Sequence, residues 1–554
     1  MSARPLPDRA DDEPAGPWPP LVAVAAAAVA TAIRLRLLGV PLERDEGEYA
    51  YAGRLLRDGV PPFESVYGMK LPGTHLAYGL AFALLGPGTA AVRLLLVAAN
   101  LASTALVFLL GRAWLGPAGA AGAAVAYSFL SLQTAMLGPF AHATHFVVLP
   151  ALAGLLAQER ALRAPPGRRA AATVATGLFL GIAILMKQPG VVFLLFALAR
   201  LVVSRAKERG SLAREAATML AAAALPTAIV LAWAAMRGGL GHYAAWLFRY
   251  GAGYAKPLPL DQGALWLRVA LGRILAQAPI LWAIAAAGAA LAALPGDVVP
   301  HGRRLLALAA FSFLGACPGL TFREHYFLLA LPAVALLVGA AAEVAARGLR
   351  GRVAPAAAAL APAVVVLLAG AQSVASQREL LLSLAPDLVS RALYGDNLFP
   401  ESPAIASWIA ARTTPGDRIA IFGSEPQIPF LAGRRSATGH VYMYPLLEPQ
   451  PDARAMQEEM MREVAHARPA FVVSVRVPTS WVRREDSDAR VLDEMAAFLR
   501  DGYEPCGVVV AGEGGRSRIL WEEDAAAVRG SDDVLAVVLR RREPTGASSG
   551  SARP

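Results

Sequence analysis

"WPPLVAVAAAAVATAIRLRLLGVPLERDEGEYAYAGRLLRDG" (Trp18–Gly59) joins about twenty almost purely apolar residues to three acids within four positions, Asp45, Glu46 and Glu48. An apolar run of that length matches the hydrocarbon core of a bilayer, which takes about 20 helical residues. The run is long enough to span and no convincing cleavage site follows it, so it reads as a retained helix rather than a signal peptide. The acids then fall at a membrane edge. The rest of the chain repeats the theme. Of 554 residues, 56% are hydrophobic and only 17% charged, against about a quarter charged in soluble domains. Apolar runs fill residues 18–376, and a soluble composition returns after them. The expected fold is a polytopic α-helical membrane protein with a C-terminal soluble α/β domain.

Eleven runs qualify as spans: 18–38, 89–111, 117–136, 140–157, 170–186, 189–204, 214–236, 265–294, 303–319, 323–341 and 353–376. A twelfth, 71–86, has sixteen residues, begins Leu71-Pro72-Gly73 and carries His75. Its shortness argues against spanning. Basic loops orient the bundle, since Lys and Arg collect on the cytoplasmic side. Arg160, Arg163, Arg168 and Arg169 form one such loop, and Arg205, Lys207, Arg209 and Arg214 a second. Arg303 with Arg304, and Arg347 with Arg350 and Arg352, mark two more. Eleven spans put all four on one side. The leader 1–17 is then cytoplasmic and disordered, and the loop 39–88 and the tail from 377 are extracytoplasmic. Arg34, Arg36, Arg54 and Arg57 oppose this orientation. Segments 45–58 and 71–86 are expected to lie along the outer leaflet as surface helices.

The net charge of +10 follows from these loops. It forms no basic domain, so nucleic acid is not an expected partner. Cys317 and Cys506 lie in different regions, and neither a disulfide nor thiol chemistry is expected. In the tail, Ser402-Pro403 opens a helix to about Arg412. Strands are expected at 418–424, 470–475, 506–512, 517–521 and 534–539, with helices at about 452–467 and 489–500. Gly512–Gly515 reads as a hairpin turn, lacking the Lys-Ser/Thr of a phosphate loop. The α/β domain spans 377–542, and 543–554 is a disordered tail.

Several polar groups fall at the outer face of the eleven-span arrangement. Asp45-Glu46-Gly47-Glu48 fits a helix capping box starting at Asp45, and it also fits a carboxylate general base. Lys70 is a snorkelling interfacial lysine or a cation for a lipid phosphate. Lys187, in "ILMKQPG", stands between two spans with no acidic neighbour, and charges at membrane depth usually have a task. Arg323, Glu324, His325 and Tyr326 lie at another outer helix end, where Arg323 and Glu324 could neutralise one another. His142 and His145 share a helix spacing, yet no further ligand pattern accompanies them and no metal is expected. One acid pair with several cations is a sufficient kit for cleaving a sugar–phosphate bond. The departing phosphate needs positive charge, and the attacking hydroxyl needs a base.

"DEGEYAYAGRLLRDG", "PPFESVYGMKLPGTHLAY", "MKQP" and "REHYFLLALP" together resemble glycosyltransferase family 39 of the GT-C superfamily, which includes protein O-mannosyltransferases and lipid A aminoarabinose transferases. The likeness covers about 40–200 and recurs at 321–332. It implies a multi-pass membrane transferase that moves a sugar from a polyprenyl-phosphate donor to an extracytoplasmic protein, lipid or glycan acceptor, with inversion and without an essential cofactor. It implies Asp45 as the catalytic acid with Glu46 beside it. Lys70, Lys187, Arg323, His325, Tyr326 and Tyr67 are implied for the donor phosphate and its cavity. Met69 departs from the acid usual before that lysine. A non-catalytic flippase or a scaffold for lipid-linked sugars is the rival reading; a flippase would want polar groups through the bundle centre and symmetric broken helices.

Overall fold

The structure, a computed structural model, describes residues 18–237, 240–254, 256–526 and 533–543. The expected leader, 1–17, and the expected tail beyond Glu543 lie outside the described residues. The membrane half is built from α1 (Trp18–Arg36), α2 (Arg44–Arg57), α3 (Gly73–Leu85), α4 (Thr89–Trp114), α5 (Pro117–Leu130), α6 (Ala143–Arg163), α7 (Pro166–Met186), α8 (Val191–Arg205) and α9 (Arg209–Met236). It continues through α10 (Leu260–Gln277), α11 (Pro279–Ala293), α12 (Gly302–Leu314), α13 (Leu331–Leu349) and α14 (Pro355–Ser376). Among the described residues, seven helical stretches are long and apolar enough to cross a membrane: α1, α4, Gly167–Met186, Gln188–Arg205, α9, Glu324–Leu349 and α14. Large apolar side chains such as Val24, Leu109, Ile229 and Leu368 stand exposed on the bundle exterior. Hydrocarbon solvates such a surface, whereas water would drive it to associate.

Each of the eleven expected spans contains helix, but those at 117–136, 140–157 and 303–319 are not among these seven stretches, and 265–294 is sharply bent. Residues 265–294 are not one straight helix: α10 and α11 meet at 107°. Pro279 lacks an N–H to continue the ladder and pushes Ala278 out of the helical region, to φ −143°. The break leaves α10 with exposed Leu260, Leu265 and Trp266. α5 sits at the centre of the bundle, buried from Ala118 to Leu130.

The outer loop also differs from expectation. α3 does carry an exposed apolar edge, Leu80, Leu84 and Leu85, as an interfacial helix should. α2 does not lie on the leaflet. Nine of its fourteen residues are buried, because it is pressed between α3 and the C-terminal domain. Two glycines permit this. A Cβ on Gly47 would stand 2.7 Å from the Gln427 backbone nitrogen, and one on Gly53 2.8 Å from the His75 carbonyl oxygen. Apolar and small residues therefore occupy several faces of α2, and a one-sided membrane contact could not bury them.

The C-terminal domain carries α15 (Ser402–Ala410), α16 (Gln427–Ala432), α17 (Ala453–Ala467) and α18 (Arg490–Gly502). Its strands are β1 (Arg418–Phe422), β2 (Arg435–Ser436), β3 (Phe471–Val475), β4 (Tyr503–Ala511), β5 (Ser517–Trp521) and β6 (Val534–Arg541). They form one mixed sheet in the order β2-β1-β3-β6-β4-β5. β1 pairs parallel with β2 and β3, and the remaining pairs are antiparallel. β4 and β5 are the hairpin read around Gly512–Gly515. The continuous runs in β1 and β3 follow from burial on both faces.

The two ends of the bundle differ in charge. At one end the basic loops meet acids on neighbouring helices. Glu159 pairs with Arg200 and, at 3.1 Å, with Arg304. Glu343 pairs with Arg347 at 3.4 Å and accepts the Gly119 N–H at 2.9 Å. At the opposite end three of the four contrary arginines are spent on carbonyls, while Arg57 pairs with its neighbour Asp58. Arg34 donates to Ser131 and Gly138, Arg36 to Leu381 and Leu384, and Arg54 to Phe430 and Gly433. They staple turns and the C-terminal domain to the bundle. They therefore say little about which side of a membrane they face.

Candidate active site

α2 delivers the acids. Its cap is Glu43, not Asp45: the Glu43 side chain accepts the Glu46 N–H at 2.8 Å, and Glu46 accepts the Glu43 N–H at 3.2 Å. The box thus starts two residues before its expected place, and Asp45 is left out of it. Glu46, fully buried, forms an ion pair with Arg93 of α4 and accepts the Ala141 N–H at 2.6 Å. Its carboxylate is committed to holding α2 against α4 and the turn before α6.

Asp45 and Glu48 point the other way, towards Lys70. Lys70 Nζ donates to Asp45 Oδ1 at 2.8 Å, to Glu48 Oε2, and to the Tyr442 hydroxyl at 3.2 Å. Its three donors are all engaged. His75 lies 3.6 Å from the other Glu48 oxygen. Burial alone would raise Asp45; Lys70, with His142, His325 and Lys187 beyond it, holds its carboxyl well below the usual range. Burial likewise opposes Lys70, but Asp45 and Glu48 hold its pKa well above that of a free lysine. The second Asp45 oxygen, Oδ2, has no hydrogen bond to a described residue and lies 3.9 Å from His142 Nδ1.

Lys187 ends α7 in extended backbone, φ −162°; Pro189, two residues on, has no N–H for the Leu185 carbonyl and its ring would clash there, so the helix cannot run on. Its Nζ lies 3.2 Å from His325 Nε2 and 4.2 Å from the centre of the Tyr326 ring. Burial, against the pull of Asp45, brings its pKa down to about 7. The loops bearing the two lysines are tied together, since Gln188 donates to the Met69 carbonyl at 2.6 Å and Thr74 to that of Met186 at 2.9 Å.

Asp45, Lys70, Lys187, His325 and Tyr326 therefore converge. Glu46 turns away. Arg323 is exposed, two residues before His325, and its neighbour Glu324 pairs with Arg273 at 3.7 Å. Tyr67 belongs to another contact: its N–H meets the Gly439 carbonyl at 2.8 Å, its hydroxyl meets Glu463 at 2.7 Å, and its ring packs on His440. It anchors the loop to the C-terminal domain. His142 and His145 do not act together, because His145 faces Asn100 on α4 at 3.4 Å. Sequence reasoning missed Glu48, Arg93, His142 as a neighbour of Asp45, and Tyr442. The spacing Asp45-x-x-Glu48 was the one available signal, and it was read as a cap.

Asp45, His142 and His325 present ligand atoms within 4.8 Å of one another. The two rings, however, stack at 4.7 Å and 4°. Lys187 Nζ stands 3.2 Å from His325 Nε2, so a cation already occupies the side of that nitrogen where a metal would bind. A cavity of about 380 Å³ elsewhere, lined by Leu447, Val475, Pro478, Trp481, Val482, Arg483 and Leu492, holds none of these groups.

Residues 70–233 match the model of the dolichyl-phosphate-mannose-protein mannosyltransferase family. The fold is shared with ArnT from Cupriavidus metallidurans bound to undecaprenyl phosphate, at TM-score 0.57 and 16% identity, over 90% of this chain and 97% of that one. The apo form of the same protein matches at TM-score 0.57 and 17% identity over the same shares. No curated protein matches the chain in sequence.

Proposed function

We propose that this chain, a multi-pass membrane protein with the GT-C fold, is a glycosyltransferase that moves a sugar from a polyprenyl-phosphate carrier to an acceptor hydroxyl. The carrying observation is Asp45. One of its oxygens is held by Lys70; the other lies 3.9 Å from His142, whose ring stacks on the His325 that Lys187 contacts. The acceptor hydroxyl attacks the anomeric carbon, and its proton passes to Asp45. The bond from that carbon to the phosphate oxygen breaks, and its electron pair stays on the phosphate. Lys187 neutralises the departing charge in a site of low dielectric, assisted by His325, Tyr326 and Arg323. Lys70 is proposed first as the clamp on Asp45 and Glu48, and as a phosphate contact only when it turns from them. Attack opposite the leaving phosphate inverts the anomeric centre. The match to a family named for a dolichyl-phosphate donor, and the shared fold of a protein that holds undecaprenyl phosphate, support a polyprenyl-phosphate ligand. The site end is proposed to be extracytoplasmic, since the basic loops gather at the other end. The acceptor is a protein, lipid or glycan.

The test is turnover of a panel of polyprenyl-phosphate sugars by purified protein, with surface glycans compared by mass spectrometry with and without the gene product. Asp45→Asn is expected to fold and to lose transfer by at least about a thousandfold, of the order of a missing general base. Normal turnover by Asp45→Asn would overturn the assignment.

A further inference from the structure

Tyr442, 397 residues after Asp45 in sequence, brings the C-terminal domain into the site. It lies between β2 and α17 in a segment that turns back over α2. The Met443 N–H donates to Ser424 Oγ at 2.8 Å, and the Ser424 N–H and hydroxyl both engage Ser480. Arg44, the first residue of α2, donates to the Ser424 carbonyl at 2.7 Å and to Asn397 Oδ1 at 3.0 Å. The ring is buried and packs on Tyr444 at 5.1 Å. Its position is thus fixed from both sides.

The hydroxyl stands 3.0 Å from Asp45 Oδ1, 3.0 Å from Glu48 Oε2 and 3.2 Å from the Arg44 carbonyl. It holds one proton and faces three acceptors, while itself accepting from Lys70. Lys70 and Tyr442 thus both have a donor within reach of the same oxygen of Asp45, and Oδ2 is left facing His142.

We propose that Tyr442 is a positioning residue for the carboxylate base: its hydroxyl fixes Asp45 Oδ1, so that Oδ2 is the oxygen that receives the acceptor's proton. This rests on the transferase reading above. It also gives the C-terminal domain a part in the reaction. When Lys70 swings towards a phosphate, Tyr442 keeps a donor on Oδ1, and the carboxylate does not rotate.

Tyr442→Phe removes only the hydroxyl and keeps the ring on Tyr444. Purified full-length protein is assayed with a polyprenyl-phosphate sugar, alongside Tyr442→Ala and Asp45→Asn. The expected result is a kcat lowered 10- to 100-fold in Tyr442→Phe, with KM for the donor changed less than threefold and thermal unfolding unchanged. Tyr442→Ala is expected to be no better than Phe in kcat. A purely structural tyrosine would let Phe restore wild-type kcat. That result, with Asp45→Asn inactive, overturns the role of Tyr442 and leaves the transferase reading intact. Wild-type turnover by Asp45→Asn overturns the reading itself. A tenfold rise in donor KM at unchanged kcat would place Tyr442 in donor binding and also refute the proposal.

Discussion

Lys187 gives the sharpest test of the site's electrostatics. Its pKa is pulled to about 7 by burial, partly offset by Asp45. A phosphodiester keeps one negative charge across the range where proteins are assayed, so the donor does not titrate there. Protonated Lys187 contributes a charge-assisted hydrogen bond worth about 1.5–3 kcal/mol. At about 1.4 kcal/mol per tenfold, its loss weakens donor capture by about 10- to 100-fold. The sign follows from the charge: the useful form exists below the pKa and disappears as pH rises through it. The profile of kcat/KM, which reports the free enzyme, should therefore fall above about pH 7 and level off about 10- to 100-fold lower. Lys187→Met should be flat over that range and sit at the lower level. Lys187→Arg, whose guanidinium stays charged, should lack the fall. The assay is initial-rate transfer from a polyprenyl-phosphate sugar between pH 5.5 and 9 in buffers of constant ionic strength. A wild-type profile flat to pH 9, or the same fall in Lys187→Arg, would refute the reasoning.

Other outcomes follow from the same contacts. The proposed base must be ionised to act, and the Asp45 carboxyl is held well below the usual carboxylate range; the acid limb of kcat/KM should fall below about pH 4, and a limb above pH 5 would contradict this. Arg93→Met strands the buried Glu46 carboxylate and should cost about 3–5 kcal/mol of stability, with Arg93→Met/Glu46→Gln recovering much of it in an unfolding assay in detergent. Gly47→Ala places a methyl 2.7 Å from the Gln427 nitrogen; it should destabilise by about 1–3 kcal/mol and raise proteolysis between α14 and α15.

The architecture was legible because its signals are local. Apolar length marks helices, and alternating helix and buried strand mark the tail. The break at Ala278 was also local, and Pro279 carried it; the apolar length of 265–294 masked it. The register of the cap was not legible. Glu43 with Glu46, and Asp45 with Glu48, have the same spacing, so the sequence near α2 offers two equivalent boxes. Arg93, 47 residues away, takes Glu46, and Lys70 takes the other pair. The partner that decides lies outside any local window. Tyr442 had no signal at all, being one aromatic among several in "GHVYMYP". Arg34, Arg36 and Arg54 opposed the orientation in sequence only because a side chain that staples carbonyls looks there like a topological charge.

The reach from Asp45 to Tyr442 also sets a clock on biosynthesis. A chain grows at about 5–20 residues per second, so the 397 residues between them take roughly 20–80 s to make. For that interval α2 has left the ribosome while the tyrosine and the surface that covers Gly47 do not yet exist. Lys70 and Arg93 arrive within seconds and can neutralise the acids. On the proposed mechanism the base is complete only when about four fifths of the polypeptide, through Tyr442, has been translated. A nascent or truncated chain would therefore hold its charges but not its geometry.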